Sequence, residues 1–254
     1  IIGKIKKYYN KFRSLYGNTF GMDTKKREIL YNAIFRSLTE YGSLAYFEKL
    51  RKSDIRKLKS LQRRILIGVI SAYKSVSYTA TYVISGKVPL DLHLKEINKT
   101  KRLQIDRKKG KLTLKQTKEE IKSVKMETIK EWKTQINMET TGRRTVKLIP
   151  KLECRLKNKN LKSNFFLTQY LTGHGKFASY LKEYKITENN ICRECNETED
   201  TPDHTFKECS KFKYLREKYK ITEEKLGQCF GDGDIHNQIK KYAREVIEEK
   251  REIN

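Results

Sequence analysis

The sequence predicts a mainly α-helical fold, and three observations carry that prediction. Only 3 prolines and 13 glycines punctuate 254 residues, too few for the closely spaced turns of a β architecture. Apolar residues recur at three- and four-residue steps in the best-patterned stretches. Charged residues make up 35% of the chain and hydrophobic residues 37%, enough for a core beneath a heavily charged surface.

The first patterned stretch is 23–48. Asp23 or Thr24 caps a helix there, Ile29, Leu30, Ala33, Ile34, Leu38 and Tyr41 form its stripe, and Gly42 kinks it. A second helix is predicted from about Asp54 to Ala72. It buries Leu58, Leu61, Ile65 and Val69 and turns Arg56, Lys57, Lys59, Arg63 and Arg64 to water. Pro89, within Val88-Pro89-Leu90-Asp91, marks the next helix entrance. The charged stretch beyond it runs to about residue 138 and breaks near Gly110, with Thr117 and Glu120 at capping-box spacing. Ile121, Val124, Thr128, Trp132 and Ile136 share a face, so Trp132 reads as a packing anchor rather than a base-stacking platform. Segment 140–186 is less regular, with turns at Gly142-Arg143-Arg144 and around Thr172-Gly173-His174-Gly175. A last helix is predicted from about Ile235 to Ile253.

Five cysteines occur, and three of them cluster with a histidine. Cys192-x2-Cys195-x8-His204-x4-Cys209 offers three thiolates and one imidazole within 18 residues. Zinc takes four such ligands in a tetrahedron, and a C-x2-C pair closes a tight turn around it. A disulfide reading fails, because three local cysteines leave one unpaired and no secretory signal is present. Cys154 and Cys229 fall outside the spacing and are expected to be buried thiols. His93, His174 and His236 have no ligand partners at useful spacing and read as packing or surface residues.

The formal net charge is +26. Residues 1–186 hold 44 Lys and Arg against 15 Asp and Glu, a net of +29, while residues 187–254 hold 13 against 16, a net of −3. Such a field attracts polyanions, so RNA or DNA is the expected partner. Two clusters stand out as phosphate contacts: Arg56, Lys57, Lys59, Arg63 and Arg64, then Lys101, Arg102, Arg107, Lys108 and Lys109. The metal segment is acidic, with Glu194, Glu197, Glu199, Asp200, Asp203 and Glu208 against Arg193 and Lys207. Its zinc is therefore expected to hold a local fold while phosphate contact falls to the basic helices. An acidic membrane fits less well. No apolar run approaches the ~18 residues of a span, and no basic face is paired with a row of exposed apolar residues. The chain opens Ile-Ile-Gly without an initiator methionine or signal peptide and reads as a piece of a longer protein.

No nucleophile–base or paired-carboxylate arrangement is visible, so no catalytic site is expected in this chain. Gly173-His174-Gly175 as a phosphate turn at a helix start, and Asp232-Gly233-Asp234 as a cation site, are weaker readings without partner groups.

Several motifs occur in a fixed order. Leu61-Gln62-Arg63-Arg64 and Ala72-Tyr73-Lys74-Ser75 precede Pro89-Leu90-Asp91-Leu92. Gly142-Arg143-Arg144-Thr145 and Leu148-Ile149-Pro150 follow, then Leu167-Thr168-Gln169, Leu171-Thr172-Gly173-His174-Gly175-x-Phe177 and Tyr180-Leu181. The CCHC array with Glu197-Thr198 and Arg216 completes the series. From about residue 20 to 216 this order resembles the region just after the polymerase core of insect non-LTR (LINE-type) retrotransposon polyproteins. It is similar to elements that insert into ribosomal RNA genes. It departs at Tyr46 and Arg144, where the family often has tryptophan.

The resemblance implies a helical thumb-like region at 1–100, a basic helical connector at 101–186, a CCHC zinc knuckle at 187–215 and a helical tail at 216–254. It implies a role in target-primed reverse transcription, beside an upstream polymerase domain of the same polyprotein, inside the cell and in the nucleus when target DNA is engaged. The family's paired polymerase aspartates are missing, since no Asp-Asp pair occurs here. The alternatives are a zinc-stabilised protein-interaction domain and an inactive transposon relic.

Overall fold

The computed structural model describes residues 2–14 and 22–250. Among them lie 15 α-helices, and the only β pairing is one antiparallel bridge between Ile191 and Glu199. The mainly α class predicted from periodicity is the class observed. No described helix is long and apolar enough to cross a membrane. The chain divides into two compact units, each discontinuous in sequence: 1–69 with 87–140, and 70–86 with 141–254.

The first unit contains helices Ile2–Ser14, Thr24–Leu30, Lys52–Val69, Leu90–Lys108 and Leu114–Met138. Asp23 caps the second, accepting a 2.8 Å bond from Lys26 N. That helix runs through a π-helical turn, Tyr31–Arg36, into Ser37–Glu40. The wider turn keeps residues four apart on one side, so the buried face is Tyr31, Phe35 and Thr39. The stripe read from the sequence is thereby corrected, because Ile29 and Tyr41 stand exposed at 63% and 85%. In Lys52–Val69 the expected stripe of Leu58, Leu61, Ile65 and Val69 is buried. Gln62 is buried with it. Its Nε2 donates to Tyr31 OH and Val88 O, and its Oε1 accepts from Leu90 N, which satisfies the helix entrance behind Pro89.

The next two helices form an antiparallel hairpin, because Lys95 pairs with Glu131 while Lys99 pairs with Glu127. Gly110, at φ +73°, makes the turn between them. The capping box sits at Thr113 and Gln116, not at Thr117 and Glu120. Thr117 lies inside the helix with its hydroxyl bonded back to Thr113 O. Trp132 is 1% exposed and is the packing anchor expected of it.

The second unit surrounds a core of Leu167, Tyr170, Leu171, Phe177, Phe206, Ile239, Tyr242 and Val246, all buried. Helices Phe165–Thr172 and Gly233–Glu249 supply most of these. Asp232 caps the latter, accepting from Asp234 N and Ile235 N, so Asp232-Gly233-Asp234 is a helix start and not a cation site. Gly173, at φ +78°, ends Phe165–Thr172. The Gly-His-Gly turn therefore follows a helix C-terminus, where no positive dipole end faces a phosphate. A Cβ on Gly175 would lie 2.0 Å from Gln169 Oε1, which already accepts from Lys176 N. Cys229 is buried as expected, but Cys154 is exposed, on the outer side of the short helix Leu152–Lys157. Its neighbour Arg155 turns inward instead, with Nε and Nη2 donating to Ile84 O.

Candidate metal centre and basic surface

Cys192, Cys195, His204 and Cys209 converge in the second unit, with one donor atom of each within 4.8 Å of the others. Cys192 Sγ lies 3.9 Å from Cys209 Sγ, and Cys195 Sγ lies 3.3 Å from His204 Nε2. A tetrahedron with zinc–sulfur arms of ~2.3 Å and a zinc–nitrogen arm of ~2.0 Å has edges of roughly 3.5–3.8 Å. The donor set and its spacing therefore fit Zn²⁺, which would supply structural cross-linking.

Local backbone chemistry builds the site. Asn196 takes φ +60° and its N–H bonds to Cys192 O, closing the C-x2-C turn. The turn aims the N–H groups of Cys195 and Glu194 at Cys192 Sγ, and Lys211 N–H points likewise at Cys209 Sγ. His204 Nδ1 lies 3.0 Å from Thr198 Oγ1, which leaves Nε2 for the ligand position. Burial pushes the Cys209 thiol up to about 12 and raises Cys192 as well. A cation that takes these sulfurs as thiolates must supply the compensating charge.

The metal segment is built into the unit around it. Phe206, between two ligands in sequence, stacks on Tyr170 at 4.5 Å and meets Tyr242 edge-on at 5.6 Å. Tyr242 OH donates to Phe206 O at 2.6 Å. Two of the six acids noted in the sequence, Asp200 and Asp203, tether the segment. Asp200 is buried against Lys250, 2.6 Å away, and also accepts from Ala178 N and Thr205 Oγ1. Asp203 pairs with Arg144 and Lys207. Arg144 also donates from Nε to Tyr170 O and lies over that ring. Arg216 donates to the carbonyls of Glu208 and Cys209. No local pattern announces the pairing of Arg144 with Asp203 or of Lys250 with Asp200, since these partners lie 59 and 50 residues apart.

The ten basic residues all fall in the first unit. Arg56, Lys57 and Arg64 are exposed, whereas Arg63 is half-buried rather than exposed as expected. Lys59 pairs with Asp91 at 3.1 Å. Lys101 Nζ donates to Glu40 O and Ser43 Oγ, committing it to internal bonds, and Arg102 pairs with Glu48. Arg107, Lys108 and Lys109 are exposed at the hairpin turn, beside Lys111, Lys115 and Lys118. Between residues 107 and 118 there is no acid. The first unit holds 32 Lys and Arg against 13 Asp and Glu, and the second 25 against 18. The acidic C-terminal segment thus offsets basic residues of its own unit.

The other histidines serve packing. His93 Nε2 lies 2.7 Å from Glu40, and His236 sits between the carbonyls of Cys229 and Lys162. His174 Nδ1 lies 2.8 Å from Ser75 Oγ.

Comparison with known proteins finds related sequences along most of the chain. It is 26% identical, over 98% of its length, to a retrovirus-related Pol polyprotein from type-1 retrotransposable element R1 4 of Nasonia vitripennis, covering 67% of that protein. It is 25% identical over 85% of its length to the R1 Pol polyprotein of Bradysia coprophila, and 22% identical over 92% to a putative protein of element R1DM of Drosophila melanogaster. It spans only 22% and 24% of those two. No family model matches the chain. No solved structure matches it either.

Proposed function

We propose that this chain, homologous over most of its length to R1-type non-LTR retrotransposon Pol polyproteins, is a nucleic-acid-binding C-terminal segment of such a polyprotein. In this reading it holds template RNA or target DNA during target-primed reverse transcription, in the nucleus when the target is engaged, beside the polymerase domain of the same polyprotein. The chain binds and positions; it does not carry the chemical step. A zinc ion on Cys192, Cys195, His204 and Cys209 holds the second unit together.

The observation that carries the reading is the concentration of excess positive charge in the first unit. Nineteen of the 26 net charges lie there, and its exposed cations include two local groups: Arg56, Lys57 and Arg64, and Arg107, Lys108 and Lys109. Uncompensated like charge destabilises a compact state, and a polyanion relieves it. Lys59, Lys101 and Arg102 contribute less, because each already has an acceptor within the unit.

Salt titration of binding to one RNA and one DNA duplex tests this. Each phosphate contact contributes a log–log slope of roughly −0.9 on duplex DNA. Replacing Arg107, Lys108 and Lys109 by glutamine is expected to flatten the slope by up to about three units of contact and to weaken all sequences alike. Unchanged slope and affinity in that variant and in the Arg56, Lys57 and Arg64 variant would overturn the reading.

A further inference from the structure

A continuous run of aromatic rings lies in the second unit. Tyr184 and Tyr180 are 4.8 Å apart between centroids, as are Tyr180 and His174. Tyr73 follows at 6.4 Å from Tyr180, and Phe165 at 5.6 Å from Tyr73. The middle of the run is locked, because Ser75 Oγ lies 2.8 Å from both His174 Nδ1 and Tyr180 OH. Tyr184 at one end is exposed at 51%, and Phe165, which also meets Phe166 edge-on at 5.7 Å, is exposed at 40%. A lone exposed ring is ordinary on a protein surface. Two part-exposed rings held by a packed run of tilted aromatic neighbours are different, since the contacts behind them already restrict their motion.

The charge beside the rings narrows the occupant. The segments that build the run carry Lys74, Lys176, Lys182 and Lys185 against the single acid Glu183. Aromatic rings on segments with an excess of cations suit a polyanion with exposed planar groups, which is a nucleotide chain with unpaired bases. A duplex hides its base faces. RNA presents unpaired bases without prior melting, whereas DNA is ordinarily paired.

We propose that Tyr184 and Phe165 stack unpaired bases of single-stranded RNA at the two ends of this run. The assignment rests on the nucleic-acid reading above and adds to it a second surface, of different chemistry, on the other unit.

The test uses the full chain and fluorescence anisotropy with three probes: a short unstructured oligoribonucleotide, the same sequence as DNA, and an RNA duplex. Tyr184→Ala and Phe165→Ala are each expected to weaken oligoribonucleotide binding roughly five- to a hundredfold, the effect of losing one stacked base. Tyr184→Trp should retain binding. The salt slope should stay put, because a stacking contact releases no counterion. Duplex affinity should be unchanged, while Phe165→Ala should also lower the melting temperature, because its ring packs on Tyr73 and Phe166. No loss in the double alanine variant, or equal loss on the duplex, would overturn the proposal; the DNA oligonucleotide should lose affinity similarly, because every unpaired base has a π-face whatever its sugar. If the basic-cluster variants leave every slope intact while Tyr184→Ala still weakens the oligoribonucleotide, stacking stands and the phosphate reading fails.

Discussion

In the proposed zinc-bound state, removal of the ion should dismantle far more than the loop that carries its four donors. The ligands span 192–209, but Phe206 lies within the core of the second unit, against Tyr170 and Tyr242. Asp200 ties the same loop to Lys250 at the end of Gly233–Glu249, and Arg144 ties it to Tyr170. Zinc binding in short motifs contributes roughly 10–16 kcal/mol at neutral pH. A whole domain is stable by only about 5–15 kcal/mol. Loss of the ion therefore exceeds what the remaining contacts of the unit can absorb. Amide hydrogen exchange, measured with and without a zinc chelator, should show protection lost across Phe165–Thr172 and Gly233–Glu249 as well as the ligand loop. Trp132 lies in the other unit, so its fluorescence serves as an internal reference for that unit. Exchange gains confined to 191–209, with Gly233–Glu249 still protected, would refute the reasoning.

Three other outcomes follow from named contacts. The His93 hydrogen bond, and then Arg36, hold the Glu40 carboxyl down at about 2 from its usual 4.5. A depressed carboxylate stabilises the fold above its unfolded pKa and ceases to as pH falls through the folded one. Trp132-monitored melting should therefore lose stability between about pH 4.5 and 2, and Glu40→Gln should flatten that dependence; a parallel loss in the variant would count against the contact. Lys250→Met strands buried Asp200 and should cost about 3–5 kcal/mol in urea unfolding of the second unit, with much of the loss recovered in the Asp200→Asn, Lys250→Met double variant. Gly142→Ala should lower melting by the equivalent of about 1–3 kcal/mol, since φ is +74° and the added Cβ would fall 2.6 Å from Ser77 Oγ; an unchanged melting temperature would show that the turn relaxes freely.

What the sequence determined by itself was local. Helical class, the buried stripe of Lys52–Val69, the cap at Asp23, the helix entrance behind Pro89 and the role of Trp132 depend on residues a few positions apart, where periodicity and capping chemistry operate. The metal cluster was legible for the same reason, its four donors lying within 18 residues of chain. Only the tertiary structure decided how those pieces are shared between the two units. A π-helical turn shifted the face buried after Leu30 from the stripe that a regular period marks. Asp200 and Asp203 of the metal segment have their explanation in Lys250 and Arg144, and the inward turn of Arg155 in a carbonyl 71 residues away. Of the basic residues, Lys59 and Lys101 proved to have partners within the fold, while Arg107 to Lys109 stayed in water at a turn. Charge along a sequence says how many cations a polyanion could meet. Which of them remain available depends on acceptors brought beside them by folding, and no local pattern records that.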